Sequence, residues 1–150
     1  MLQLIITLNH LHSKAIIHRD ITLGILLLGK NMELKIGDFG LAINVNKGKK
    51  TFGIAGTPGY QPPEMLNNEE YSFSADIWAL GIIMCYLLTG ENPFWENKED
   101  FDKNIKNMVS KYLSFNGKIS KAAEDLINQI LKKKAWRKTN LKSNNLSWIF

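Results

Sequence analysis

Two carboxylates stand eighteen positions apart, each inside a tripeptide with its own backbone demands: Asp20 in His18-Arg19-Asp20 and Asp38 in Asp38-Phe39-Gly40. A pair of this kind is what transfer of a phosphoryl group from a nucleoside triphosphate to a hydroxyl requires. One carboxylate orients the hydroxyl and takes its proton, and the other holds the metal on the triphosphate. A third block, Gly56-Thr57-Pro58-Gly59-Tyr60-Gln61-Pro62-Pro63-Glu64, follows where such chemistry would place a loop for the acceptor. A single tripeptide arises easily by chance; three blocks in this order and spacing form a specific signal.

The elements that must position these residues can be read from periodicity. Leu4, Leu8 and Leu11 recur at the spacing of an amphipathic helix. Residues 15–17, 25–28 and 34–36 read as short buried strands, with a turn at Gly29-Lys30-Asn31 between the last two. Residues 44–55, rich in Lys, Gly and Thr, read as a mobile loop. Ser74 is the expected N-cap of a helix over 75–88 that ends at Gly90. Being apolar all round, that helix should form the core. A solvent-facing helix is expected over 98–108. A final amphipathic helix should start at Ser120 and run through Ala122, Ala123, Leu126, Ile127, Ile130 and Leu131. The whole predicts a mainly α fold with a few short strands.

Bulk composition bounds the function. A chain of 150 residues suits one domain, and 45% hydrophobic with 22% charged residues is ordinary globular composition. The lone Cys85 lies in an apolar run, excludes an internal disulfide framework and fits a reducing compartment. The net charge of +5 is spread out, with local density at Lys47, Lys49, Lys50 and at 132–138, and lacks the aromatic interleaving of single-strand binders. No nucleic-acid partner is therefore expected. The longest apolar stretch, 77–88, falls short of the ~20 residues of a spanning helix, and the first residues lack the features of a signal peptide. The expectation is an intracellular, cytoplasmic protein with no membrane partner.

The order of the three blocks resembles the catalytic loop, metal loop and activation segment of eukaryotic-type Ser/Thr protein kinases. The resemblance covers almost the whole chain and implies the C-terminal lobe of that fold, with the N-terminal lobe absent. It divides the chain into a helix preceding the catalytic loop (1–13), the catalytic and metal loops (14–43), the activation segment (44–64) and a helical subdomain (65–150). By resemblance Asp20 is the catalytic base, supported by His18, whose ring packs toward Phe39. Arg19 waits for a phosphorylated or acidic partner in the activation segment. Asp38 ligates Mg2+ on ATP, Leu26 is a further cofactor-binding position, and Gly40 gives the metal loop its freedom to turn. Thr57 is the threonine that hydroxyl-directed kinases place beside the base. Structural roles fall to a buried Glu64–Arg137 ion pair and to Asp76, which accepts hydrogen bonds from the catalytic-loop backbone. Thr51 is a candidate phosphosite, whereas Gly53 stands where many relatives carry the activating threonine. Leu23-Gly24 and residues 31–37 look like polo-type kinases; residues 52–60, Pro93-Phe94-Trp95 and Ser147-Trp148-Ile149 look like calcium/calmodulin-dependent kinases.

The chain also departs from that pattern. Thr22 stands where the family has a lysine that neutralises the transferring phosphoryl, and Ile25 where it has an asparagine for a second metal ion. A side chain without oxygen offers nothing to magnesium. Contacts of this kind are typically worth about 2.7–4 kcal/mol each, a hundredfold or more in rate. The expectation is a protein Ser/Thr kinase with impaired chemistry, acting on a protein substrate and needing an N-terminal lobe from elsewhere. The 150 residues alone should be inactive. The alternatives are a pseudokinase-like module that binds a protein partner without catalysis, and a degenerate kinase fragment.

Overall fold

The computed structural model describes residues 1–45, 51–94, 100–110 and 113–132. Helix α1 (Leu2–Ser13) is followed by strand β1 (Ile16–Ile17), a single 3-10 turn (Leu23–Ile25), and strands β2 (Leu26–Leu28), β3 (Leu34–Ile36) and β4 (Ile43–Asn44). Four helices follow: α2 (Pro63–Leu66), α3 (Ser74–Thr89), α4 (Phe101–Ser110) and α5 (Lys121–Ile130). The regular elements among the described residues are thus mostly helices, with a few short strands. Among them no helix is long and apolar enough to cross a membrane.

Helix α3 is apolar all round because it feeds two cores. Trp78, Ile82 and Cys85 lie four and three residues apart on one face and pack with Phe94, Met108, Ile127, Ile130 and Leu131. Ala79, Leu80 and Ile83, on another face, join Leu4, Leu8 and Leu11 of α1 and Ile21 of the loop after β1. Each fully buried Leu or Ile contributes roughly 1.5–3 kcal/mol, so these two clusters are the main reason the loops at the surface have a fixed base. Burial also pushes the Cys85 thiol up to about 12, so it stays protonated at neutral pH and acts as a small apolar residue. The last turn of α3 departs from the expectation of full burial. Leu87 and Leu88 are exposed there.

The strands form two small antiparallel pairs. In one, Ile16 lies opposite Asn44 and Ile17 opposite Ile43; in the other, Leu26, Leu27 and Leu28 oppose Ile36, Lys35 and Leu34. The hairpin closes with Gly29 N donating to Glu33 O at 2.8 Å and Met32 N to Gly29 O at 3.0 Å. Gln3 fixes it to α1, accepting from Leu34 N and donating to Met32 O. The hairpin is not buried as its composition predicts: Leu27 and Leu28 are exposed, and only Leu26, Leu34 and Ile36 pack inward. Residue 25 belongs to the 3-10 turn rather than to the strand.

Other local expectations meet mixed outcomes. Ser120 Oγ accepts from Ala123 N at 3.3 Å and caps α5, and Gly90 ends α3 at φ 81. Ser74, by contrast, is the first residue inside α3; Phe73 precedes it without a side-chain cap, and the Ser74 hydroxyl donates to Glu64 Oε1 at 3.4 Å. Helix α4 is not wholly solvent-facing, since Asn104 and Met108 are buried. Within the loop expected over 44–55, Thr51 is buried and paired in a β-bridge with Tyr71. Residues 46–50, including Lys47, Lys49 and Lys50, lie outside the described residues.

Helices α3 and α5 meet at Gly81. A Cβ there would come within 2.6 Å of Ile130 Cγ2 and 2.7 Å of Leu131 Cδ2. Overpacking of a close contact costs about 1–3 kcal/mol. Gly81→Val should lower the unfolding free energy by that amount in denaturant titration, and an unchanged midpoint would contradict the close packing.

Candidate active site

Strands β1 and β4 lie side by side, so the chain that leaves β1 with His18, Arg19 and Asp20 runs beside the chain that enters β4 from Asp38, Phe39 and Gly40. Three side-chain contacts then tie the two loops together. The buried His18 ring donates through Nε2 to Gly37 O at 3.0 Å, because a carbonyl can only accept. The same ring meets Phe39 edge-on with centroids 4.9 Å apart. Arg19 Nε donates to Leu41 O at 2.7 Å.

The loop after β1 is itself strained. Arg19 has φ 69, a left-handed conformation that costs a residue with a Cβ roughly 1–2 kcal/mol. Asp76, buried in the first turn of α3, holds it there. Its Oδ2 accepts from His18 N and its Oδ1 from Arg19 N, both at 2.9 Å. His12 Nε2 lies 2.8 Å from the same Oδ2 and donates to it, while its ring packs on Phe73. Two successive amides on one carboxylate fix the direction in which Asp20 leaves the loop.

Asp20 has one oxygen occupied and one open. Its Oδ1 accepts from Thr57 N at 2.8 Å and from Thr57 Oγ1 at 2.7 Å. Its Oδ2 accepts no hydrogen bond among the described residues. The approach of Thr57 depends on Gly56, whose φ is 87 and where a Cβ would collide with the Arg19 carbonyl oxygen. Gln61, buried below, donates from Nε2 to Ala55 O at 2.9 Å and Gly56 O at 3.1 Å, holding that glycine in place. Burial pushes the Tyr60 hydroxyl up, against the lowering effect of a backbone hydrogen bond from Leu23.

Asp38 is exposed and takes the turn that Gly40 was expected to take. It has φ 54, whereas Gly40 is not left-handed and simply donates its amide to Asp38 Oδ1 at 3.2 Å. An aspartate tolerates this conformation because its short side chain bonds the backbone two residues on. Its Oδ2 accepts no hydrogen bond among the described residues. No group of three or more His, Cys, Asp or Glu among the described residues could hold a metal by itself. Magnesium on a triphosphate needs only one or two protein carboxylates, the rest being phosphate oxygens and water. Asp38 therefore fits one such ion. A second ion finds no ligand at Ile25, whose side chain packs against the apolar cluster of α1 and α3.

The remaining expected positions are less involved. Thr22 precedes the 3-10 turn in extended conformation. Leu26 is half-buried against the α1 cluster. Glu64 is buried and receives the Ser74 hydroxyl, while Arg137 lies outside the described residues. Four residues that fix the site carried no individual role in the sequence: His12, Gly56, Gln61 and Tyr71, whose hydroxyl accepts from Arg19 Nη1 at 3.2 Å. Gly56 had a local signal, a glycine directly before Thr57. The partners of His12, Gln61 and Tyr71 are visible only in three dimensions.

Asp76→Ala would strand the amides of His18 and Arg19 and the Nε2–H of His12. Unpartnered buried donors cost about 1–3 kcal/mol each. The variant should lose about 3 kcal/mol or more of stability in denaturant titration, and a loss below about 0.5 kcal/mol, the range of an ordinary surface change, would contradict the bracing role.

Comparison with known proteins gives the family. The family model described as "Protein kinase domain" matches residues 1–148. Rhodopsin kinase GRK1 of Rattus norvegicus is 37% identical over 134 residues, covering 87% of this chain and 24% of that protein. Calcium/calmodulin-dependent protein kinase type II alpha chain of Drosophila melanogaster is 42% identical over 135 residues, covering 86% of this chain and 26% of that protein. Serine/threonine-protein kinase PLK1 of Xenopus tropicalis is 45% identical over 111 residues, covering 72% and 19% respectively. The chain thus spans about a quarter or less of the length of these curated relatives. With a family match running over nearly its whole length, the chain belongs to the protein kinase domain family.

Proposed function

We propose that these residues form the C-terminal lobe of a protein serine/threonine kinase, which transfers the γ-phosphoryl group of ATP to a Ser or Thr hydroxyl of a protein. One observation carries the reading. Asp20 is fixed through Oδ1 by the amide and hydroxyl of Thr57, with Oδ2 left for an incoming alcohol. The acceptor hydroxyl donates to Oδ2; as its oxygen bonds to the γ-phosphorus, its proton passes to Asp20. The bond from that phosphorus to the bridging oxygen breaks, and ADP leaves with the electron pair. Asp38 would hold a magnesium ion, which when bound neutralises charge on the phosphates. Thr57, beside the base, suits an aliphatic hydroxyl, and the relative named serine/threonine-protein kinase PLK1 supports that choice. The adenine-covering lobe, the protein substrate and the site of action in the cell belong to the whole protein, to whose nucleotide-facing surface the exposed Leu27 would contribute, with Leu26 packed inward beside it as support.

Transfer of γ-phosphoryl to Ser and Thr peptides by the full-length protein tests this. General-base catalysis contributes about 10²–10⁴-fold, so Asp20→Asn should lose that much rate while its melting transition stays in place. Equal rates for Asp20→Asn and its parent would overturn the assignment.

A second reading, a kinase-like module that binds protein but turns over little, is favoured by Thr22 and by the apolar seat of Ile25. Restoring both groups as Thr22→Lys with Ile25→Asn should raise the rate by roughly a hundredfold or more. The single Thr22→Lys change leaves the apolar cluster intact and should recover part of the gain. A parent protein already turning over at about 1–100 per second would contradict impairment.

A further inference from the structure

Tyr71 is 3% exposed and packs by its ring with Met65 and Ala75. Its hydroxyl is used in both directions. It accepts from Arg19 Nη1 at 3.2 Å and donates to Phe52 O at 3.4 Å. The Tyr71 amide donates to Thr51 O at 3.0 Å, completing the bridge between residues 51 and 71. One residue along, Gly53 N donates to Asn68 Oδ1 at 3.1 Å, with Asn68 held at φ 53. Residues 51–53 are therefore clamped to residues 68–71, and the clamp ends on the guanidinium of the residue next to Asp20.

A guanidinium beside a catalytic carboxylate needs an acceptor that fixes it, and an added phosphate is a strong one. Here Arg19 already has neutral acceptors on two of its nitrogens, the Leu41 carbonyl and the Tyr71 hydroxyl. Thr51, the hydroxyl nearest the clamp, is only 8% exposed and its carbonyl is engaged, so a modifying enzyme would reach it only after the bridge opens. Gly53, with φ 93, carries no hydroxyl at all.

We propose that Tyr71 is a positioning residue: its hydroxyl takes the part of a phosphate toward Arg19, and holds residues 51–57 against Asp20 without phosphorylation. The proposal rests on the reading of Asp20 and Thr57 given above. It can be decided without turnover, because the Thr57 amide reports directly on its bond to Asp20.

Amide hydrogen exchange of the full-length protein provides the test. Tyr71→Phe keeps the ring in its apolar seat and removes only the hydroxyl. It should speed exchange at Gly53 and Thr57 by about two- to tenfold, the worth of one ordinary hydrogen bond, with the melting transition nearly unmoved. Asn68→Gly keeps the left-handed turn and removes only the contact to Gly53. It should speed Gly53 and leave Thr57 as it was. Exhaustive phosphatase treatment of the parent should change neither amide. Unchanged Thr57 exchange in Tyr71→Phe, equal loosening of Thr57 in Asn68→Gly, or loosening on dephosphorylation would each overturn the proposal. A failure of phosphotransfer in the parent would instead count against the kinase reading and leave these exchange rates interpretable.

Discussion

The carboxylate of Asp76 is the constraint on which the site depends. It sits in the first turn of α3, ten of whose sixteen residues are buried, and accepts from two consecutive amides, His18 and Arg19, and from the His12 ring. Those bonds hold Arg19 in a left-handed conformation that the residue would otherwise avoid. The core clusters on both faces of α3 give that carboxylate a rigid base, so packing free energy is converted into a fixed direction for Asp20. Remove the two clusters and the same residues would be a flexible polar loop.

From that point, order spreads through the loops by short contacts. His18 reaches back to Gly37 and Phe39, so the backbone approaching Asp38 is set by the residue two before Asp20. Arg19 does the same for Leu41 on the far side of Asp38. The two loops are therefore coupled through His18 and Arg19, and among the described residues neither carboxylate hydrogen-bonds to the other's loop. This explains why each acid lies within a tripeptide: its neighbours supply the alignment. Both acids turn one oxygen toward the protein and keep the other without a hydrogen-bond partner among the described residues.

Much of this was legible in the sequence, for physical reasons that differ by residue. Leu4, Leu8 and Leu11, and the apolar length of α3, follow from periodicity and burial, which act locally and leave a regular trace. The expectation that Asp76 would meet the backbone at residues 18 and 19, and the edge contact of His18 with Phe39, came from resemblance and match the distances seen. What the sequence did not yield depends on backbone conformation or on distant partners. The left-handed residue of the second loop is Asp38 and not Gly40, because a carboxylate that bonds its own backbone can stand in for glycine. The capping expectation for Ser74 failed because its hydroxyl turns to Glu64. Leu27 and Leu28 look like core by composition, yet both are exposed, because the short hairpin packs only through Leu26, Leu34 and Ile36 among the described residues. Gln61 and Tyr71 hold the loop around Gly56 and Arg19 through contacts no local pattern announces.

Under the proposed function, Asp20 and Asp38 would serve one reacting centre. The most direct measurement is a crystal structure of the full-length protein with magnesium, a non-hydrolysable ATP analogue and a serine peptide. The account predicts the peptide hydroxyl at hydrogen-bond distance, about 2.6–3.2 Å, from Asp20 Oδ2, and a magnesium ion ligated by Asp38 on the triphosphate. A peptide hydroxyl bound away from Asp20, or a triphosphate whose metal ignores Asp38, would contradict it.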